Sequence, residues 1–556
     1  MADSFFHDHY PAGMVGKVDP DKYSSIVDIF DSFIKKFSDK PVFSCMGQTI
    51  SFDELNRLSA NFASYLQNHT DLQPGDRIAV QLPNILQFPV VVWGAIRAGM
   101  VVVNTNPLYT DREMEHQFND SGAKVLVVYA GMAAQALRVK PKTGIQKIIV
   151  TEIADLHSPF KRLLINSVVK YVKKMVPAYD RSAVVSLLSV LSEGGRKPLQ
   201  PVAMKGDDLA VLQYTGGTTG VAKGAMLTHR NLVANMLQSK EFFQLALNEG
   251  KEIMIAPLPL YHIYAFLLHG MLIPYTGNHN VLIPNPRDLP SFIKEMAKYK
   301  FTSFTGLNTL FVALCNNEDF RKLDFSHLKM TVSGGMALTK AAADRWEEVT
   351  GCRINEGYGM TETSPVLSFN PPGHVQLGTI GIPAPSTEIA ILDENGNALP
   401  DGEVGELCAR GPQVMKGYWK RPEETAKTMT EDGFIRTGDI AIKQADGYLK
   451  IVDRKKDMII VSGFNVYPNE VEEVLTAHPQ VLEAAAIGVP DDATGEKILV
   501  FVVAKGDVTE ADLIAHCRKN LTAYKVPKVF EFRPELPKTN VGKVLRRALK
   551  EEMQAS

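Results

Sequence analysis

From Arg77 onward the chain alternates short apolar runs with segments of helical spacing, and that alternation narrows the fold more than any other feature. Arg77-Ile-Ala-Val-Gln-Leu82, Met100-Val-Val-Val-Asn104 and Lys124-Val-Leu-Val-Val128 read as strands; Ile85 to Ala98 and Asp111 to Ser121 read as the helices between them, and Phe52 to Asn68 as a helix ahead of them. Strands joined by helices instead of tight turns lie parallel, in a sheet covered on both faces. A chain of 556 residues is too long for one core. The expectation is therefore an α/β protein with a large N-terminal domain of stacked α/β subdomains over residues 1–452. After about Gly378 the chain turns to short strands and Asp-Gly turns (Asp401-Gly402, Asp432-Gly433, Asp446-Gly447), which predicts a β-rich subdomain over 378–452. Beyond it, a helix opening at Pro468, two strands (483–489 and 498–503), a helix from Thr509 and a basic tail predict a small α+β C-terminal domain over 453–556. The charged run Asp453-Arg-Lys-Lys-Asp457 between them reads as a hinge.

Composition excludes several classes. A net charge of −2 offers no basic footprint for nucleic acid. Five scattered cysteines without C-x-x-C spacing point to reduced thiols in the cytoplasm, with neither a disulfide framework nor a zinc site. The N-terminus lacks a basic region followed by an apolar one, and no apolar run approaches the roughly eighteen residues that span a bilayer. The stretch from Ser158 to Val176 is different. It carries Lys161, Arg162, Lys170, Lys173 and Lys174 with no acidic residue, while Leu164, Ile165, Val168, Val169, Val172, Met175 and Val176 share one face of a helical wheel. Peripheral contact with the inner surface of a membrane and packing against its own domain are both open readings. A homodimer is also compatible with the sequence.

The segment Tyr214-Thr215-Gly216-Gly217-Thr218-Thr219-Gly220-Val221-Ala222-Lys223-Gly224 combines four glycines, three threonines and a lysine. Glycine lets backbone N–H groups approach an anion closely, and the hydroxyls and Lys223 add donors and charge. It follows the apolar run 209–212 and precedes a helix from Thr228, so it reads as a phosphate loop at a strand-to-helix junction. It is not a Walker A loop, because Ala222 precedes the lysine and Gly224 follows it. A second junction, Met330-Thr-Val-Ser-Gly-Gly-Met336, leads to a helix that Gly351 closes. Ligands in open α/β sheets gather where strands end and helices begin, so both loops are expected on one crevice.

Four further segments carry chemistry. In Asn355-Glu356-Gly357-Tyr358-Gly359-Met360-Thr361-Glu362, Tyr358 suits stacking on a purine, Thr361 a phosphate contact and Glu362 a hydrated Mg2+. A surface turn is the plain alternative. Thr437-Gly438-Asp439 offers a carboxylate for a ribose hydroxyl pair, and Asp453-Arg454 a further polar contact at the hinge. Pro537-Lys-Thr-Asn-Val-Gly-Lys543 places a lysine after a glycine in the basic tail, which by itself is an ordinary surface lysine.

These segments occur in the order and spacing of the adenylate-forming acyl-CoA synthetase superfamily, and the resemblance runs from about Asp28 to Leu549. Tyr214 to Asn231 and Asp432 to Ile460 most resemble bacterial long-chain fatty acid–CoA ligases, with Phe434 and Ile435 where many members carry Trp and Leu. The resemblance implies a two-step reaction. A fatty acid is activated by ATP to acyl-AMP and pyrophosphate, and the acyl group then passes to coenzyme A. It implies that Thr215 to Lys223 hold the triphosphate, and that Glu362, with Thr218, holds Mg2+. Glu356 to Met360 and Gly335 would border the nucleotide and acyl sites, with Asp439 and Arg454 on the ribose. His262 would border the carboxylate, with Phe266 or Tyr264 as gate to the acyl tunnel. Lys543 would contact the reacting oxygens. A mobile C-terminal domain would then turn about Asp453 and bring Ser462, Gly463 and Phe464 to the pantetheine arm. An aryl-CoA or medium-chain ligase, or a luciferase, shares these motifs. A non-catalytic fatty-acid-binding protein needs none of Glu362, Lys543 or the phosphate loop.

Overall fold

The computed structural model describes residues 9–215, 222–462, 464–491, 494–539 and 544–555. Among these residues the strands assemble into four sheets. The alternation from Arg77 builds the first. Arg77–Gln81 lies between Val101–Asn104 and Ala123–Tyr129, all parallel, with Lys147–Thr151 and Val185–Ser186 extending one side. On the other side Leu209–Thr215 pairs in parallel with Val101–Asn104, and Lys223–Thr228 closes the edge antiparallel. The crossover helices Gln87–Arg97 and Asp111–Ser121 stand where the apolar spacing places them.

The phosphate-loop segment departs from expectation here. It does not join a strand to a helix; it joins two antiparallel strands, with Thr215 opposite Lys223 and Tyr214 opposite Gly224. The helix His229–Phe243 begins one strand later, with Thr228 as its N-cap in a reciprocal capping box with Asn231.

A second sheet runs in the order Ile382–Pro383, Val366–Phe369, Ile354–Gly359, Met330–Ser333, Ser303–Gly306, Ile253–Ala256, His279–Leu282, Pro41–Cys45 and Gln48–Ser51. Its interior pairings are parallel and both ends antiparallel. Helices between the sheets build one continuous core. Trp93 meets Phe30 and Phe33 at ring distances of 4.8 and 5.7 Å. Gly94 faces the helix Phe52–His69 so closely that a Cβ would fall 2.7 Å from the Ser59 carbonyl oxygen. Gly351, left-handed at φ 70°, closes the helix Lys340–Thr350.

A four-stranded antiparallel sheet follows: Glu388–Leu392, Val404–Arg410, Ile435–Lys443 and Leu449–Arg454. The last sheet holds Phe464–Val466, Ile459–Val461, Gly495–Ala504 and Val481–Asp491, with Val529–Phe532 beside Gly495–Ala504. The helices Pro468–Thr476, opened by proline, and Glu510–Asn520, capped by Thr509, cover it.

The basic stretch differs from a uniform wheel. An α-helix over Pro159–Ser167 widens into a π-helical turn over Val168–Val172, and the chain leaves it at Lys174 with φ 52°. The wider turn rotates the register. Phe160 (77% exposed), Leu163 (70%), Tyr171 (68%) and Val172 (73%) face outward with Leu164 and Met175, whereas Val169 is buried. No helix among the described residues is long and apolar enough to cross a membrane.

Candidate active site

The ends of the two large sheets, the antiparallel sheet and the C-terminal unit enclose one cavity of about 2380 Å³. Its wall includes Thr215 and Lys223 from the edge hairpin, Gly334 to Thr339 after the strand Met330–Ser333, and the run from Glu356 to Glu362. Thr215 and Lys223, which flank the phosphate segment, and the loop after Met330–Ser333 therefore border one crevice, although they belong to different sheets.

The segment 415–419 stitches this wall together. The N–H of Met226 donates to the Gly417 carbonyl at 2.9 Å, that of Trp419 to the Gly224 carbonyl at 2.8 Å, and that of Met415 to the Glu362 carbonyl at 2.8 Å. Tyr418 is thereby laid between Lys223 and Glu362. Its hydroxyl donates to Glu362 Oε1 at 2.6 Å, and Lys223 Nζ stands 5.2 Å from the centre of its ring. Lys223 also pairs with Glu424 Oε2 at 2.5 Å. Burial raises the Glu362 carboxyl above its ordinary range, against the lowering effect of the Tyr418 hydrogen bond. Tyr214, on the hairpin strand Leu209–Thr215, also lines the cavity, its hydroxyl donating to Asp120 Oδ2 at 2.6 Å.

Across the cavity, the Tyr358 hydroxyl donates to Asp439 Oδ2 at 2.5 Å, and Arg454 Nε lies 3.5 Å from Asp439 Oδ1. Burial, then the Asp439 charge, holds the Tyr358 phenol well above its usual range. The strand carrying Tyr358 bends sharply at Gly359, where a Cβ would lie 1.8 Å from the Pro365 carbonyl oxygen; only glycine fits. Glu356 accepts the Leu338 N–H at 3.1 Å, and burial pushes its carboxyl up to about 8. Gly335 takes φ 82° in the facing loop, and Gly357, Met360 and Thr361 also line the cavity.

The same wall carries apolar side chains, Phe242, Phe243, Leu267, Leu268, Leu272 and Phe369, together with His262 and Tyr264. His262 caps the short helix Ile263–Ala265 by accepting the Tyr264 N–H at 3.4 Å. The Tyr264 hydroxyl is buried with no hydrogen-bond partner among the described residues. Of the two gate candidates, Phe266 does not line this cavity. It faces a small separate void with Phe88 and Trp93, because the π-helical turn Phe266–Leu272 aims it into the first core.

Asp453 is fully buried and accepts the N–H groups of Arg454 and Asn469, each at 2.6 Å; burial pushes its carboxyl up to about 6. Thr539 and Val544, on either side of Lys543, line the cavity. Ser462 and Phe464 do not. Ser462 donates its N–H to the Thr494 carbonyl at 2.7 Å, and exposed Phe464 stacks on Tyr524 with ring centres 4.9 Å apart. Gly216, Gly217, Thr218, Thr219, Gly220, Gly463 and Lys543 lie outside the described residues. Sequence reading overlooked Tyr418 and Glu424. Gly417-Tyr418-Trp419 has no distinctive spacing, and backbone pairing with a distant strand brings it to the site.

Comparison with known proteins agrees with this geometry. Residues 30–419 match the family model of the AMP-binding enzyme, and residues 470–543 that of the AMP-binding enzyme C-terminal domain. A long-chain-fatty-acid–CoA ligase of Escherichia coli O157:H7 is 50% identical over 545 residues, covering 98% of this chain and 97% of the relative. A 4-coumarate–CoA ligase of Pinus taeda is 31% identical, covering 94% of each. ATP-bound MatB from Rhodopseudomonas palustris superposes with a TM-score of 0.82 at 28% identity, covering 95% of this chain and 98% of that one. The chain belongs to the AMP-binding enzyme family and is a close relative of bacterial long-chain-fatty-acid–CoA ligases.

Proposed function

We propose that this chain is a long-chain fatty acid–CoA ligase. One observation carries the reading: one cavity is lined both by Lys223, Tyr358, Glu362 and Asp439 and by several phenylalanines and leucines. A substrate with a carboxylate head and a long alkyl tail matches both kinds of lining, and burying its methylenes would stabilise the complex by about 0.8 kcal/mol each. The near full-length identity to long-chain-fatty-acid–CoA ligases supports the same choice.

In the first step a carboxylate oxygen attacks the α-phosphorus of ATP. The bond from that phosphorus to the bridging oxygen breaks, and pyrophosphate leaves with the electron pair. Both reactants are anions, so this chain's task is to offset their repulsion as charge builds at phosphorus. Lys223 and the donors from Thr215 onward would hold the leaving pyrophosphate, while Lys543 would meet the carboxylate and α-phosphate oxygens. Asp439 and Arg454 would take the ribose, with the Tyr358 ring beside the purine. Glu362 fits Mg2+, because its carboxyl is buried and raised, and a divalent cation beside it would favour ionisation; Thr218 would be a second ligand. When bound, Mg2+ supplies positive charge to the phosphate oxygens. Tyr264, which lines the cavity where Phe266 does not, is the preferred gate.

In the second step the coenzyme A sulfur attacks the acyl carbon, its proton is released, and AMP departs with the anhydride oxygen. Residues 453–556 would rotate as a domain about Asp453 against residues 1–452, bringing the 462–464 loop to the pantetheine arm. The exposed Phe160–Met175 surface, with its five basic residues, would rest on anionic lipid at the cytoplasmic face, where fatty acids partition.

The test is product identification after incubation with ATP, Mg2+, palmitate and coenzyme A. Palmitoyl-CoA, AMP and pyrophosphate are expected. Turnover confined to cinnamates would transfer the chain to the aryl ligases, and ADP as product would defeat the adenylation reading.

A further inference from the structure

Arg546 follows Lys543 by three residues, and its side chain is only 14% exposed. It grips Glu472 with two arms, Nε donating to Oε1 at 2.9 Å and Nη2 to Oε2 at 2.6 Å. Nη2 also donates to Asn469 Oδ1 at 2.5 Å. Nη1 donates to Asp457 Oδ2 at 3.3 Å and lies 3.6 Å from Asp453 Oδ1. Asp453, at the end of the strand Leu449–Arg454, in turn accepts the Asn469 N–H in the first turn of the helix Pro468–Thr476. One guanidinium therefore joins carboxylates from three places: the end of the antiparallel sheet, the segment just after it, and a helix of the C-terminal unit.

The base of the segment carrying Lys543 is closed directly beside this cluster. Lys538 and Val544 form an antiparallel bridge, and the Leu545 N–H donates to the Pro537 carbonyl at 2.8 Å. Lys538 Nζ pairs with Glu483 Oε1 at 2.5 Å. Arg546 is the next residue along the chain. The two sides of the base reach the cavity through Thr539 and Val544.

We propose that Arg546 is a positioning residue: it fastens the paired base that flanks Lys543, Pro537–Lys538 with Val544–Leu545, to Asp453 and to the helix Pro468–Thr476, and adenylate formation depends on that anchoring. The proposal rests on the ligase reading. Arginine suits the task because its planar fork presents five N–H donors in fixed directions; lysine cannot hold Glu472, Asn469 and Asp453 together. Glu472 and Asn469 move with the C-terminal unit, whereas Asp453 sits at the proposed pivot. Rotation thus keeps the Glu472 pair and loosens the Asp453 contact, so the intact cluster favours the adenylating orientation.

The experiment separates the two half-reactions in the full-length protein. ATP–pyrophosphate exchange with palmitate reports adenylation; conversion of supplied palmitoyl-AMP and coenzyme A to palmitoyl-CoA reports the second step. Arg546→Lys is expected to lower exchange about 100-fold, the scale of an ångström-sized misplacement, and to leave thioester formation largely intact. Equal loss of both half-reactions, or unchanged exchange, would overturn the proposal. Glu472→Gln, judged by the same criteria with a smaller expected loss, decides the matter if Arg546→Lys does not fold. A wild-type protein inactive in both half-reactions would bring down the ligase reading and this proposal together; an active wild type with unaffected variants would overturn the role of Arg546 alone.

Discussion

Glu356 shows how far one residue's chemistry depends on its surroundings. In the chain it is an ordinary glutamate before Gly357-Tyr358, with a carboxyl near 4.5. In the fold it is buried with one N–H donor, and the lost hydration pushes the carboxyl up to about 8, so the fold prefers it protonated at neutral pH. The folded value lies above the unfolded one. The associated stability is therefore complete below about 4.5 and is lost as pH rises through about 8. Glu356→Gln keeps the acceptor for the Leu338 N–H and carries no charge at any pH. Thermal melts of the ligand-free protein should show the variant gaining on the wild type by a few degrees between pH 5 and pH 9; parallel profiles would refute the burial argument. Asp439 illustrates the opposite case. Its isolation in Thr437-Gly438-Asp439 already marked it as a ligand carboxylate, and the structure adds Tyr358 and Arg454 at hydrogen-bonding and ion-pair distance. Tyr418 had no such mark, because its contact with Glu362 spans 56 residues of chain.

Elements were legible where a periodic pattern is long and capped. Asp111–Ser121, opened by Thr110 and closed by left-handed Gly122, ends where its residues say it should. The hairpin strand Lys223–Thr228 was not legible. Six residues containing glycine and alanine have weak strand preference, and the partner Leu209–Thr215 decides their conformation. The basic stretch lies between these cases. Its charge was readable, but the direction of its apolar side chains depends on a π-helical turn that a uniform wheel does not contain. With Phe160, Leu163, Tyr171 and Val172 outward, the element should bind vesicles containing anionic lipid and ignore neutral ones. Each basic residue near such a surface contributes about 1 kcal/mol, so Lys170→Ala with Lys173→Ala should weaken partitioning roughly 30-fold. Leu163→Glu with Val172→Glu should abolish it, and raised salt should weaken the wild type. Sedimentation that is equal with both vesicle types would refute a lipid-docking role.

At the scale of the molecule, the cavity is lined by Thr539 and Val544, which flank Lys543, and not by Ser462 or Phe464. A chain using each surface in turn should lose the half-reactions separately. Lys543→Ala is expected to lower acyl-AMP formation by about 10²–10³-fold, the typical cost of one preorganised donor. Palmitoyl-CoA formation from supplied palmitoyl-AMP should persist, and equal loss of both would argue against alternating use of the two surfaces. The sequence by itself determined the α/β class and much of the succession of strands and helices, because periodicity, turn chemistry and glycine spacing are local properties of a chain. The tertiary structure decided that the phosphate segment spans a hairpin, that Tyr264 and not Phe266 borders the cavity, and that Tyr418 and Arg546 reach the residues they hold. Those outcomes depend on which distant strands pair and which faces are buried, and such contacts gain their energy only once the whole chain has closed around them.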